Sequence, residues 1–252
     1  FRSGYLACGD TGAGKMPEPE VLYEYILREA GYPGDLAGRR ILVTAGPTRE
    51  SIDPVRYITN HSTGKMGYAI ARVAAYRGAD VTLVSGPVDL PRPLFVETVL
   101  VESAREMFEA VTARSGEQDI IVKAAAVADY RPATVGKEKI KKSDGDLSIA
   151  LERTNDILGW LGQNRRDGQF LCGFSMETQN MLENSRAKLE RKNIDMIVAN
   201  NLKVEGAGFG TDTNVVTIIT RHGEKELPMM GKEEVAYALL TEIMACQTRL
   251  GE

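Results

Sequence analysis

Residues 39–88 carry the pattern that decides the fold: RRILVTAGPT (39–48), TNHSTGKMG (59–67), YAIARVAAY (68–76) and ADVTLVSGPV (79–88). A short apolar run ends in a glycine, and a polar loop follows it. Apolar residues then recur at helical spacing from about Lys65 to Tyr76, and a second apolar run closes the stretch. Strand, loop, helix and strand in that order make the βαβ unit of a parallel sheet. Gly78 stands just past the helix, where a left-handed stop is favoured.

The alternation continues downstream. VETVLVE (96–102) predicts a strand, and SAREMFEAVTARSGE (103–117) a helix capped by Ser103, with Glu106 in the capping-box position. DIIVKAAAVADY (119–130) predicts another buried strand, so three strands with two crossovers form half of a doubly wound sheet. RPATVGKEKIKKSDGD (131–146) is a charged loop or flap. It is followed by an amphipathic strand, LSIALERT (147–154), and by a helix beginning near Asn155. QFLCGFSME and IDMIVANN read as strands around the helix NMLENSRAKLERKN. NVVTIIT and a RHGEKELP hairpin precede the last helix, GKEEVAYALLTEIMA. The expected fold is α/β, a Rossmann-like doubly wound, mostly parallel sheet flanked by helices, with a C-terminal strand and hairpin extension. Upstream, FRSGYLACGDTGAGKMPEPE predicts a tail or hinge without a strand. A helix then runs from Glu18-Pro19 to Gly31, and GYPGDLAG is a linker. The chain thus divides into residues 1–38 and a folded unit, 39–252.

Composition narrows the function. The 252 residues carry 31 Lys and Arg against 35 Asp and Glu, so no global basic field argues for nucleic acid. There is no apolar run of membrane-spanning length and no signal-peptide layout, which points to a cytoplasmic protein. Cys8, Cys172 and Cys246 are widely spaced and read as free thiols, and two histidines exclude a histidine-rich metal centre.

Three constellations carry chemistry. Gly46, Ser62 and Gly64 flank the start of the helix at Lys65, where backbone N–H groups and a glycine-rich approach suit a phosphate. The plainer alternative is that Asn60, Ser62 and Thr63 only cap that helix. The loop from Gly46 to Gly64 is longer than a βα turn needs, which favours a site. In AAAVADYRP (124–132), small alanines leave room for a flat ring. Asp129 stands where a ribose hydroxyl or a metal could be held, or where it merely caps a turn. In KEKIKK (137–142) most lysines face solvent and one or two can cover a polyphosphate. Lys188 and Lys192 share a helix face, where they either grip a triphosphate or add solubility. An NAD(P)-dependent, short-chain-type oxidoreductase is the competing assignment. It is weakened by the absence of G-x-G-x-x-G spacing and by Ser85-Gly86 where an acid for the adenosine ribose is expected.

ILVTAGPTRESIDPVRYITNHSTGKMG, AAAVADYRP, KEKIKK, GFSMET and KLERKNIDMIVAN, in that order, resemble the bacterial phosphopantothenoylcysteine synthetase (phosphopantothenate–cysteine ligase) family of coenzyme A biosynthesis, over roughly Arg39 to Ala245. This domain is usually the C-terminal half of a bifunctional protein whose N-terminal half is a flavin-dependent decarboxylase. SGYLACGDTGAGKM resembles the clasp that ends that half, and Cys8 falls at its proton donor. The flavin domain is not in this sequence, so the resemblance implies a piece of a bifunctional protein without decarboxylase activity, FMN belonging only to the full-length protein.

The resemblance implies a reaction in two steps. 4′-Phosphopantothenate attacks CTP to give an acyl-cytidylate and pyrophosphate, and L-cysteine then displaces CMP. Mg²⁺ assists, and the protein is a homodimer, for which the strand and hairpin around Asn214 to Pro228 are the candidate contact. Carried over by position, Asn60 holds and turns over the acyl-cytidylate, and Lys139 is the flap lysine of the first step. CTP contacts fall on Lys123, Ala124, Ala125, Asp129, Lys139, Asn155, Asp156, Ile157, Leu158, Phe174, Lys188 and Lys192. No Mg²⁺ ligand is assigned. Two departures from the family pattern stand out. Thr154-Asn155-Asp156-Ile157 replaces the common Asn-Pro-Asp-Ile. Lys123 replaces a small residue, with a side chain expected to turn away from the pocket.

Overall fold

The computed structural model describes residues 2–5, 10–142, 146–176, 181–200, 208 and 210–250. In chain order its elements are β1 (Arg2–Tyr5), β2 (Thr11–Lys15), α1 (Pro19–Ile26), β3 (Arg40–Ala45), β4 (Arg49–Ser51), β5 (Tyr57–Thr59), α2 (Lys65–Tyr76), β6 (Asp80–Ser85), β7 (Val96–Leu100), α3 (Ala104–Ser115) and β8 (Ile120–Lys123). There follow β9 (Tyr130–Pro132), β10 (Leu151–Arg153), α4 (Ile157–Asn164), β11 (Phe170–Met176), α5 (Met181–Arg191), β12 (Met196–Asn200), β13 (Thr213–Thr220), β14 (Gly223–Gly231) and α6 (Lys232–Leu250).

The apolar runs assemble an eight-stranded sheet in the order β14-β13-β12-β11-β8-β3-β6-β7. From β12 to β7 all neighbours are parallel, while β13 and β14 add antiparallel strands at the C-terminal end. Period-2 alternation sends Ile41, Val43 and Ala45 of β3 to one face, under α2 and α6, and Leu42 to the other, with α3, α4 and α5. Both faces are covered, which is why the central strands read as continuous apolar runs. The α/β expectation therefore holds, with α2 falling on the stretch that the sequence pattern marks. Ser103 accepts the N–H of Glu106 at 3.2 Å as the cap of α3. No helix of the described residues is long and apolar enough to cross a membrane.

Three expectations fail locally. β1 and β2 form an antiparallel pair where a strandless tail is expected. The long loop after β3 contains the β4–β5 hairpin. The strand expected over 119–130 ends at Lys123, and the chain then leaves the sheet to pair β9 with β10 in a separate two-stranded sheet. Arg77, 1% exposed, explains how the linker is held. Its guanidinium forks onto the Asp35 carboxylate at 2.8 and 2.6 Å, donates to the Tyr237 carbonyl of α6, and thus ties the linker to two helices.

The topology reverses between β3 and β8. From β3 the chain moves outward through β6 and β7, then crosses by α3 to β8 on the opposite side of β3. The connections leaving their carboxyl ends diverge and open a crevice, which is where ligands bind in such sheets. At the start of α2 one glycine sets the helix-to-strand distance: a Cβ on Gly67 would lie 2.6 Å from the Ala45 Cβ and 2.9 Å from the Thr44 carbonyl. Gly67→Ala is therefore expected to destabilise by about 1–3 kcal/mol through overpacking. Gly116→Ala, at a helical φ of −61° with no atom within 4 Å, should be neutral or slightly stabilising. Urea denaturation of both variants checks the contrast.

Candidate functional site

The crevice is built by stitches across the reversal point. Beyond the sheet pairing, the Ala126 N–H donates to the Gly46 carbonyl at 2.9 Å and the Thr48 N–H to the Ala126 carbonyl at 3.3 Å. Two threonine hydroxyls accept from the same loop, Thr44 from the Ala125 N–H and Thr48 from the Ala128 N–H. The alanine run therefore stays extended after β8 ends, held by the loop that leaves β3. Asn60 joins this lattice by donating its Nδ2 to the Ala126 carbonyl at 2.8 Å. It is thus a bridge across the crevice and not a helix cap.

The cap of α2 is Gly64, at φ +78°, and no side chain caps this helix. Ser62 accepts the Gly64 N–H at 3.3 Å. The reading of Asn60, Ser62 and Thr63 as plain caps is not what forms. Gly46, at φ +77°, lies behind Gly64, and a Cβ on Gly64 would come within 3.3 Å of it and 2.8 Å of Val88. Val88 thereby fills the space beside these glycines. At the end of β6, Ser85 is buried against the Tyr68 hydroxyl at 3.0 Å.

Two cavities of about 410 Å³ each open from the crevice. The first is lined by Lys123, Asp129, Tyr130, Arg153, Thr154, Phe174, Arg191 and the start of α4 from Asn155 to Leu158, with Lys188 and Lys192 across from it. Five basic side chains face two acidic ones, so the cavity favours an anion. The second is lined by Asn60, Ser62, Gly64, Lys65, Gly67, Ala124, Ala125 and Ala126, and from the far side by Asn200, Asn214 and Lys232. Lys123, Val127, Asp129, Phe174 and Lys188 line both cavities.

At the first cavity Asp156 caps α4 by accepting the Gly159 N–H at 2.9 Å, and its other oxygen pairs with the Lys192 ammonium. Burial alone would raise this carboxyl's pKa, but Lys192 and the capping N–H bring it below the usual value. Lys123 does not turn away. Its Nζ donates to the Ala125 carbonyl at 3.1 Å, and burial, with repulsion from Lys188, pushes its pKa down to about 8.

Most sequence-predicted positions converge here. Gly46 supports the wall from behind without lining it. Lys139 is exposed and lines neither cavity. Its neighbour Ile140 is pinned, however, by its N–H to the Asp53 carboxylate at 3.1 Å and by its carbonyl to Arg56 at 3.0 Å. Arg56 first, and then the backbone N–H donors, keep the buried Asp53 carboxyl far below the ordinary carboxylate range. Cys8 lies outside the described residues. Sequence reasoning missed Arg191, Asn200, Asn214 and Lys232. Lys232 donates to the Gly208, Thr211 and Thr213 carbonyls and so fixes the rim of the second cavity. Its signal was weak, a lysine opening an otherwise ordinary helix. Among the described residues no group of three acidic, histidine or cysteine side chains could hold a metal by itself.

Comparison with known proteins adds the following. Residues 36–246 match the family described as DNA/pantothenate metabolism flavoprotein C-terminal domain. The chain is 49% identical over 255 residues to the coenzyme A biosynthesis bifunctional protein CoaBC of Bacillus subtilis, covering 99% of this chain and 62% of that protein. It is 46% identical to the Escherichia coli K12 protein of the same name, covering 96% and 60%. The chain thus spans about three fifths of the length of these curated relatives. The crystal structure of a CoaBC C-terminal domain superposes with a TM-score of 0.73 at 48% identity, covering 87% of this chain and 99% of that one.

The Asp156 arrangement gives a test. Asp156→Ala removes cap and ion pair together and should cost about 1 kcal/mol for the cap alone, whereas Asp156→Asn keeps the cap. The wild-type advantage over Asp156→Asn should be full above the unfolded-state pKa of about 3.9 and vanish as pH falls through the lower folded value. Chemical denaturation across pH 2 to 7 measures both differences.

Proposed function

This chain belongs to the family of DNA/pantothenate metabolism flavoprotein C-terminal domains, and we propose that it is the ligase unit of coenzyme A biosynthesis, joining 4′-phosphopantothenate to L-cysteine with CTP as the activating nucleotide. The observation that carries the reading is the pair of anion-seeking cavities meeting on one wall, at Lys123, Asp129, Phe174 and Lys188. A reaction in which two phosphate-bearing substrates must meet at one phosphorus atom requires such a junction.

The cationic cavity takes CTP. Lys188 and Lys192 reach its phosphates, the start of α4 supplies backbone N–H groups, Asp129 binds the ribose, and Phe174 offers a ring face to the base. The second cavity takes 4′-phosphopantothenate, its phosphate at the uncapped start of α2 beside Ser62 and Gly64. With both bound, the pantothenate carboxylate attacks the α-phosphate and pyrophosphate leaves. The cysteine amine then attacks the acyl carbon and CMP leaves, forming the amide. Mg²⁺ bound to the triphosphate oxygens would supply further neutralisation of their charge. Asn60 orients the acyl-cytidylate from its fixed place on the Ala126 carbonyl. Lys139, tethered beside Ile140, stabilises the charge that develops in the first step. The chain works as a homodimer through the sheet edge at β13 and β14, and the decarboxylase half belongs to the full-length protein.

Quenched reactions analysed by mass spectrometry test these roles. Wild type should convert all three substrates to 4′-phosphopantothenoylcysteine. Asn60→Asp, which puts a carboxylate where the amide bonds Ala126, should release pyrophosphate and accumulate acyl-cytidylate. Lys139→Gln should slow pyrophosphate release by about 10²-fold, with Lys142→Gln nearly silent. Normal product from Asn60→Asp, or equal small effects from the two lysine variants, would remove those residues from the mechanism.

A further inference from the structure

One basic side chain stands on the wall that the two cavities share and is fixed there by the strand that carries it. Ile120 and Val122 of β8 point to the face of α2 and α6, and Ile121 to the face of α4 and α5. Alternation then sends Lys123 to the α4–α5 side, toward Lys188 and Lys192. Its Nζ spends one hydrogen on the Ala125 carbonyl, across from the strand end, which leaves two N–H donors for the cavities. The charged groups acting on it are Lys188 and Lys192 from α5 and its end, Asp129 from the loop after β8, and Asp156 at the start of α4. Asp156 is already committed to Lys192. Crowded, partly desolvated ammonium groups raise the energy of the empty site, and an anion placed among them relieves it.

We propose that the Lys123 ammonium binds the phosphate at the seam between the two cavities, the α-phosphate that the nucleotide passes to the acyl group in the ligase reading on which this inference rests. In that step a carboxylate oxygen bonds to phosphorus, and the bond from phosphorus to the bridging oxygen breaks toward pyrophosphate. Lys123 transfers no proton and offsets the charge on the equatorial oxygens.

Burial, with repulsion from Lys188, brings the Lys123 pKa down to about 8, and an anion bound beside it raises it again. Binding at pH 8.5 should therefore take up a fraction of a proton, and less at pH 7. CTP has lost its last phosphate proton well below pH 8.5, so uptake with CTP belongs to the protein. Calorimetry in two buffers of different ionisation enthalpy measures it with CTP, and inorganic triphosphate serves as a second probe of affinity alone. Wild type should take up protons at pH 8.5 with CTP and bind both probes. Lys123→Met should take up none and bind at least about tenfold more weakly. Lys123→Arg, always charged, should keep most of the affinity without proton uptake, and it serves if the methionine variant misfolds. Proton uptake that persists in either variant overturns the inference, as does undiminished affinity in Lys123→Met. Binding of inorganic triphosphate, weakened in Lys123→Met, with no binding of CTP would instead overturn the nucleotide-dependent ligase reading and leave Lys123 as an anion ligand.

Discussion

Everything in the site depends on the parallel pairing of β3 with β8, two strands adjacent in space but separated in sequence by four other strands and two helices. Because their connections leave in opposite directions, the sheet must open at their carboxyl ends. The opening is then kept from closing or slipping by a small set of bonds: Gly46 to Ala126, Thr44 to Ala125, Thr48 to Ala128, and Asn60 to Ala126. The first three satisfy backbone N–H groups that the end of β8 would otherwise leave unpaired, and Asn60 adds a second donor to the Ala126 carbonyl. The alanine run is thereby held as the floor of the crevice, and small side chains keep that floor low. Remove the pairing and neither cavity has a common wall.

The two cavities attract anions by different physics. At the second, the start of α2 presents N–H groups that no side chain caps, at a glycine whose left-handed conformation aims them outward. Such a site recognises a phosphate by shape and dipole more than by net charge. At the first, the attraction is an excess of basic side chains, restrained by Asp156 pairing with Lys192. That pair orients Lys192 from the N-cap of α4, so helix start and cation move as a unit. Between the two cavities lies Lys123, whose pKa is lowered first by burial and then by repulsion from Lys188.

Much of this was legible in the sequence. The strands under helices on both faces are long apolar runs, and α2 has strong helical periodicity, so local pattern and tertiary role agree. Asn60, Asp129 and Lys188 stand in local motifs, Phe174 and the turn before α4 follow from the family resemblance, and the structure brings them together. What escaped has physical reasons. Hairpin β4–β5 and strand β9 are three residues a strand, too short for a period to register, and β9 finds its partner β10, which lies inside the strand expected at 147–154, some twenty residues on. The face that Lys123 takes is not legible locally, because period 2 says only that it opposes Val122; the packing of α4 and α5 on that face makes it a cavity wall. Lys232 gave no motif, since its role lies in the carbonyls folded around it.

On the proposed function, two different phosphate ligands occupy two cavities that meet on one wall. Hydrogen–deuterium exchange with each ligand alone distinguishes them, since bound N–H groups at a helix start exchange slowly. CTP should protect the start of α4 around Asp156 to Gly159 and the segment after β8, leaving the start of α2 unchanged. 4′-Phosphopantothenate should protect Gly64 to Gly67 and leave α4 unchanged. If CTP instead protected the start of α2, or if both ligands protected the same segment, the two-cavity account would be contradicted.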